Sequence, residues 1–119
     1  MKRLTQQEEE IMLLFWQSGS SFIRDIVDNM PEPRPPYTSV ASVVRNLEKK
    51  GYLSSEKMGN SLRYQPAIKE SDYKRYFLSG VVSNYFTGSY KEMVSFFVRD
   101  RKISKEELKE LIDIIEKES

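Results

Sequence analysis

Neither cysteine nor histidine occurs among the 119 residues. Disulfides are therefore impossible, thiolate and imidazole catalysis have nothing to run on, and the usual Cys/His zinc sites cannot form. Glycine and proline are sparse, at five each, and no internal repeat, low-complexity segment or phosphate-binding glycine loop is present. No stretch approaches the ~18 apolar residues needed to cross a membrane. The start, Met1-Lys2-Arg3-Leu4-Thr5-Gln6, runs into Glu8-Glu9-Glu10 rather than into an apolar signal segment. These absences predict a cytoplasmic protein with no cofactor, no metal, no catalytic residues and no membrane contact.

The residues that are present describe an ordinary soluble chain, 39% hydrophobic and 31% charged. Its length suits one domain or two small ones. A half of ~60 residues is only marginally stable alone, so oligomerisation is a natural source of further burial. The net charge of +1 hides an uneven distribution. Residues 34–65 carry four net positive charges, whereas residues 66–119 hold ten of each sign. A basic stripe on a neutral protein is the footprint of a nucleic-acid reader.

Hydrophobic periodicity divides the chain. Thr5 and Glu8 have capping-box spacing ahead of a helix over 5–17, with Gly19 able to end it. Ile23, Ile26, Val27 and Met30 predict a second helix over 21–30. The proline run at 31–36 must be a loop. Val40, Val43, Val44 and Leu47 predict a third helix over 37–50, with Gly51 as its stop. Two short extended runs, 52–58 and 61–65, flank Gly59-Asn60 and read as a hairpin. Three further helices are expected over 70–86, 89–98 and 104–117, the last two opened by Ser89 with Glu92 and Ser104 with Glu107. The expected class is mainly α with a small β-hairpin. A winged helix-turn-helix domain occupies 1–68 and a three-helix dimerisation domain 69–119.

The third helix carries the functional expectation. With its valines and Leu47 turned inward, Thr38, Ser39, Ser42, Arg45, Asn46 and Lys49 point outward. Short hydroxyls allow close approach to DNA, arginine matches guanine and asparagine matches adenine. Any surface helix is polar on one side, so this face alone proves little; its place after a helix pair and before a basic hairpin makes it a recognition helix. Lys57 and Arg63 on the hairpin are expected to hold DNA as well. In the C-terminal half, Tyr73, Tyr76, Phe77, Val81, Tyr85, Phe97, Leu108, Leu111, Ile112 and Ile115 exceed what three short helices can bury in one protomer, which predicts a homodimer. The acidic groups Glu8-Glu9-Glu10 and Glu106-Glu107-Glu110 read as solvated helix faces.

The chain resembles a known family, the penicillinase repressors. Glu9-Glu10-Ile11-Met12-Leu13-Leu14-Phe15-Trp16 looks like the family's first helix. Tyr37-Thr38-Ser39-Val40 and Leu47-Glu48-Lys49-Lys50-Gly51-Tyr52-Leu53 are similar to its recognition helix and exit. Lys69-Glu70-Ser71-Asp72-Tyr73 and Ile103-Ser104-Lys105-Glu106-Glu107-Leu108 match its later pattern. The resemblance implies a transcriptional repressor that binds a palindromic double-stranded DNA operator as a homodimer. It also brings in a regulatory protease, which in beta-lactam-responsive members cuts an asparagine–phenylalanine bond; the corresponding pair here is Phe96-Phe97. Arg45-Asn46 reverses the family's usual order before the leucine, and the paired cysteines of copper-responsive members are missing. The rival reading is a winged-helix module that binds a protein and has no specific DNA target.

Overall fold

Thr5 caps the first helix, α1 (Gln6–Ser18). Its hydroxyl accepts from the Glu8 backbone N–H at 3.2 Å, and the Glu8 carboxylate accepts from the Thr5 N–H at 2.9 Å. This reciprocal pair satisfies two helix-end donors. The computed structural model describes residues 1–119. Ile11, Met12 and Phe15 bury the inner face of α1.

The second helix is shorter than its periodicity predicts. Ser21 and Phe22 form a strand, β1 (Ser21–Phe22), and the helix α2 spans only Ile23–Asp28. The apolar spacing of Ile23 and Ile26 does bury both residues. Ser21 and Phe22, however, pair with Tyr64 and Arg63, about forty positions later. Such non-local partners leave no trace in local periodicity.

The third helix, α3 (Tyr37–Lys49), buries Val40, Ala41, Val44 and Leu47. Ala41 takes a place expected for Val43, which is only half-buried. The inner face is therefore centred slightly to one side of the predicted stripe. The helix stops in a Schellman turn: the Gly51 N–H donates to the Glu48 carbonyl and the Tyr52 N–H to that of Leu47, both at 3.0 Å. Gly51 adopts φ 84°, a conformation that costs other residues energy.

Strands β2 (Leu53–Met58) and β3 (Ser61–Pro66) form the hairpin, and the antiparallel sheet runs β1-β3-β2. Met58 pairs with Ser61, so Gly59-Asn60 is a two-residue loop. Only its first residue, Gly59, has positive φ, at 62°, the pattern of a type II′ turn. Beyond the hairpin lie α4 (Glu70–Tyr85), α5 (Tyr90–Arg99) and α6 (Lys105–Glu118).

The chain divides into two compact units, Met1–Tyr76 and Phe77–Ser119. The division falls inside α4, eight residues beyond the boundary expected at 68/69. Tyr73 supplies the reason. It is buried in the first unit, its ring 5.7 Å from that of Trp16 and 5.8 Å from that of Tyr52. Its hydroxyl donates to the Glu9 carboxylate at 3.1 Å, and Trp16 donates its indole N–H to the Ile68 carbonyl at 2.9 Å. Tyr73 is thus a core residue of the first unit and is removed from the expected dimerisation set.

In the second unit, Ser104 and Glu107 form a full capping box on α6, while Ser89 supplies only the serine half of one on α5. Phe86, Phe96 and Phe97 stack edge to face at 5.8 and 5.7 Å. Neither α5 nor α6 contains a single buried residue. Tyr85, Phe96, Leu111, Ile112 and Ile115 are all exposed, Tyr85 by 78% and Ile115 by 64%. No helix is long and apolar enough to cross a membrane.

Candidate nucleic-acid interface

Thr38, Ser39, Ser42, Arg45, Asn46 and Lys49 are all exposed on α3, opposite its buried stripe. Arg45 and Lys49 make no hydrogen bond or ion pair, so both cations are available to an outside anion. Two open grooves flank the helix. One, of about 600 Å³, lies toward the hairpin and is lined by Arg24, Tyr37, Arg45, Leu62 and Tyr64 among others. The other, of about 400 Å³, lies toward α1 and is lined by Gln7, Glu8, Ser42, Arg45, Asn46 and Lys49 among others. Arg45 borders both.

The hairpin-side groove holds residues that sequence reasoning missed. The Arg24 guanidinium sits 5.6 Å from the centroid of the Tyr37 ring, a cation–π contact that holds an exposed cation at the start of α3. No local pattern links residues 24 and 37; the packing of α2 on α3 brings them together. Tyr64 closes the inner wall. Burial pushes its hydroxyl pKa upward, with Glu48 adding to the rise and Arg45 opposing it.

The register separates the two expected cations of the hairpin. Lys57 pairs with Leu62 and Glu56 with Arg63. Adjacent residues of a strand point to opposite faces, so Lys57 and Arg63 face opposite ways. Lys57 shares its face with Leu62 and Tyr64, which line the groove, and it is unpaired. Arg63 lies on the other face in an ion pair with Glu56 at 3.4 Å. Of the two residues expected to hold DNA, Lys57 therefore stands on the groove face and Arg63 does not.

Asn46 also has a partner. Its side-chain amide donates to one oxygen of the Glu8 carboxylate at 2.8 Å, and Lys50 donates to the other at 2.7 Å. Glu8 is only 3% exposed. The reading of Glu8-Glu9-Glu10 as a solvated face therefore fails for Glu8, and Glu9 is taken up by Tyr73. Burial alone raises the Glu8 pKa, but hydrogen bonds from Lys50, from Thr5 and from Asn46 outweigh it and hold the carboxyl below its ordinary range. A capping-box glutamate is a common sequence signal; that this one is buried against α3 is not encoded in its spacing. Tyr52, behind this cluster, donates its hydroxyl to the Lys2 carbonyl. Its pKa is pushed up to about 12, first by burial and then by Tyr73, Tyr76 and Glu8.

The family model described as penicillinase repressor matches residues 4–117. The "Penicillinase repressor" of Bacillus licheniformis is 29% identical over 121 residues, spanning 98% of this chain and 94% of that protein. The "Methicillin resistance regulatory protein MecI" of Staphylococcus aureus is 24% identical over 116 residues, spanning 96% and 94%. Among solved structures, the DNA binding domain of the repressor BlaI aligns with a TM-score of 0.53 and 27% identity, covering 61% of this chain and 94% of that domain. The winged-helix arrangement of α1, α2, α3 and the hairpin, together with a match over nearly the whole length, shows that the chain belongs to the penicillinase repressor family.

Proposed function

We propose that this protein represses transcription by binding duplex DNA as a homodimer, with α3 of each protomer in a major groove of a palindromic operator. The observation that carries the reading is the outward face of α3, where Ser42, Arg45 and Lys49 stand exposed and the two cations are unpaired. An unpaired guanidinium in the middle of such a helix matches the two acceptors of guanine, and an unpaired ammonium matches phosphate. Two of the relatives support the same reading, since one is named a penicillinase repressor and another is the DNA binding domain of a repressor. Arg24 on Tyr37, and Lys57 on the groove face of the hairpin, add phosphate contacts on either side.

The homodimer rests on the bare apolar surface of α5 and α6. Release from DNA is assigned to a regulatory protease acting on α5. The Phe96 and Phe97 carbonyls accept from the Asp100 and Lys102 N–H groups, so cleavage between them requires the last turn of α5 to open. Selection of duplexes from a random pool tests the function. The expected result is a two-fold symmetric consensus whose binding weakens steeply with salt. Enrichment of no sequence, with weak and salt-insensitive binding, overturns the proposal in favour of a protein-binding module.

A further inference from the structure

Two consecutive lysines end α3, and they meet opposite fates. Lys49 is exposed and unpaired. Lys50 is tied to Glu8, and its side chain is only 20% exposed. Two adjacent outward polar residues diverge in the same way, because Arg45 is unpaired while Asn46 is bound to the same carboxylate. Lys50 and Asn46 are one turn apart, so both project from the flank of α3 that faces α1. We propose that Glu8 is a positioning residue that withholds Asn46 and Lys50 from DNA, and so leaves Arg45 as the base reader of α3.

The chemistry of the carboxylate fixes which end of the Asn46 amide faces it. An ionised carboxylate only accepts hydrogen bonds, so the Asn46 side chain must turn its NH₂ end inward to Glu8. Bidentate recognition of adenine needs that NH₂ and the carbonyl oxygen presented together in the groove. Releasing the amide would break a charge-assisted bond and leave an acceptor of a nearly buried anion unfilled. Both carboxylate oxygens are occupied: one by the Thr5 N–H and Lys50, the other by Asn46. In Lys50 the same contact neutralises a cation that would otherwise grip phosphate. The exposed surface of α3 thereby offers one strong base-reading group where the sequence offers two.

This inference rests on the DNA-binding reading, and the test separates the two. Full-length variants are compared on the duplex that the wild type selects and on a scrambled duplex, across a salt series. Asn46→Ala, at an exposed site, is expected to keep the ratio of the two affinities within about twofold, while Arg45→Ala drives it toward unity. Lys50→Ala is expected to leave the salt slope unchanged, whereas Lys49→Ala lowers it by about one. A merely structural role for Glu8 makes no such distinction between neighbouring residues. In Glu8→Ala, which frees Lys50, the slope should steepen by about one, and adding Lys50→Ala should restore it; Glu8→Gln serves where the alanine variant does not fold. A loss of tenfold or more in discrimination by Asn46→Ala, or a slope lowered by Lys50→Ala as much as by Lys49→Ala, overturns the proposal. A wild type that selects no duplex overturns the DNA-binding reading itself, a result distinct from either.

Discussion

Arg45 and Glu8 show how much a single side chain's surroundings decide. Arg45 makes no hydrogen bond or ion pair, stands midway along α3 and borders both grooves. Lysine at that position keeps the charge and loses the planar fork. Arg45→Lys should therefore retain most affinity for random DNA and lose ~1–3 kcal/mol of discrimination at one base pair per half-site. Equal operator-to-random ratios in wild type and variant, measured at fixed salt, would show that Arg45 grips phosphate only. Glu8 contributes to the response to acid. Its folded-state pKa is depressed, so its contribution is complete above the ordinary glutamate range and disappears as the pH falls through its own, lower pKa. Glu8→Gln should cost ~2 kcal/mol near neutrality, the scale of hydrogen bonds to a charged group. Its denaturant midpoint should then fall less than that of the wild type between pH 5 and about 2. Parallel curves for the two proteins, at matched concentration, would rule out this linkage.

The elements that frame the interface depend on a few backbone positions and on strand register. Gly51 ends α3 at φ 84°, and a Cβ there would meet nothing within 4 Å. The cost of Gly51→Ala is thus conformational and not steric, ~1–2 kcal/mol. Thermal unfolding should register it as a drop of several degrees with DNA contacts unaltered; an unchanged midpoint would mean the helix end relaxes freely. In the hairpin, the one-residue offset between Lys57 and Arg63 matters more than their shared charge. Lys57→Ala should lower the salt slope of DNA binding by about one, and Arg63→Ala should leave it nearly unchanged. The reverse order would mean that the hairpin presents its other face to DNA. Arg63 is expected to contribute little to stability either, since its pair with Glu56 is exposed on both sides.

At the scale of the whole molecule, burial is unequal. The first unit contains nearly all of the fully buried large side chains, whereas α5 and α6 bury none. A surface carrying Leu111, Ile112, Ile114 and Ile115 on one exposed helix is larger than scattered apolar residues account for. In the proposed homodimer a second copy covers it, which also yields paired half-sites. Replacing both Ile112 and Ile115 by Asp removes two anchors, each worth ~1.5–3 kcal/mol when buried. The dimer should weaken by about a hundredfold or more, and light scattering at micromolar concentration should report a monomer with the helical content of the wild type. A variant that remains dimeric would place the interface elsewhere. Any fragment meant to isolate the first unit must run to Tyr76, because one ending near residue 67 loses the packing of Tyr73 on Trp16 and Tyr52.

Local rules account for most of what could be read from the chain before its fold was known. The capping boxes at Thr5 and Ser104, the serine cap at Ser89, the stop at Gly51, the Gly59-Asn60 turn and most of the stripe of α3 arise from neighbours within a few residues, where spacing reports geometry directly. The order of elements, and with it the winged-helix class and the exposed face of α3, follows from those same signals. The tertiary structure alone decided what depends on partners distant in sequence. Pairing of Ser21 with Tyr64 turned the start of a predicted helix into a strand. Docking of Tyr73 on Trp16 moved the end of the first unit into α4, and the cross-strand register divided Lys57 from Arg63. Most consequential, the approach of α1 to α3 buried Glu8 and gave it Asn46 and Lys50. Periodicity specifies which way a side chain points from its own helix; only packing specifies what it meets there.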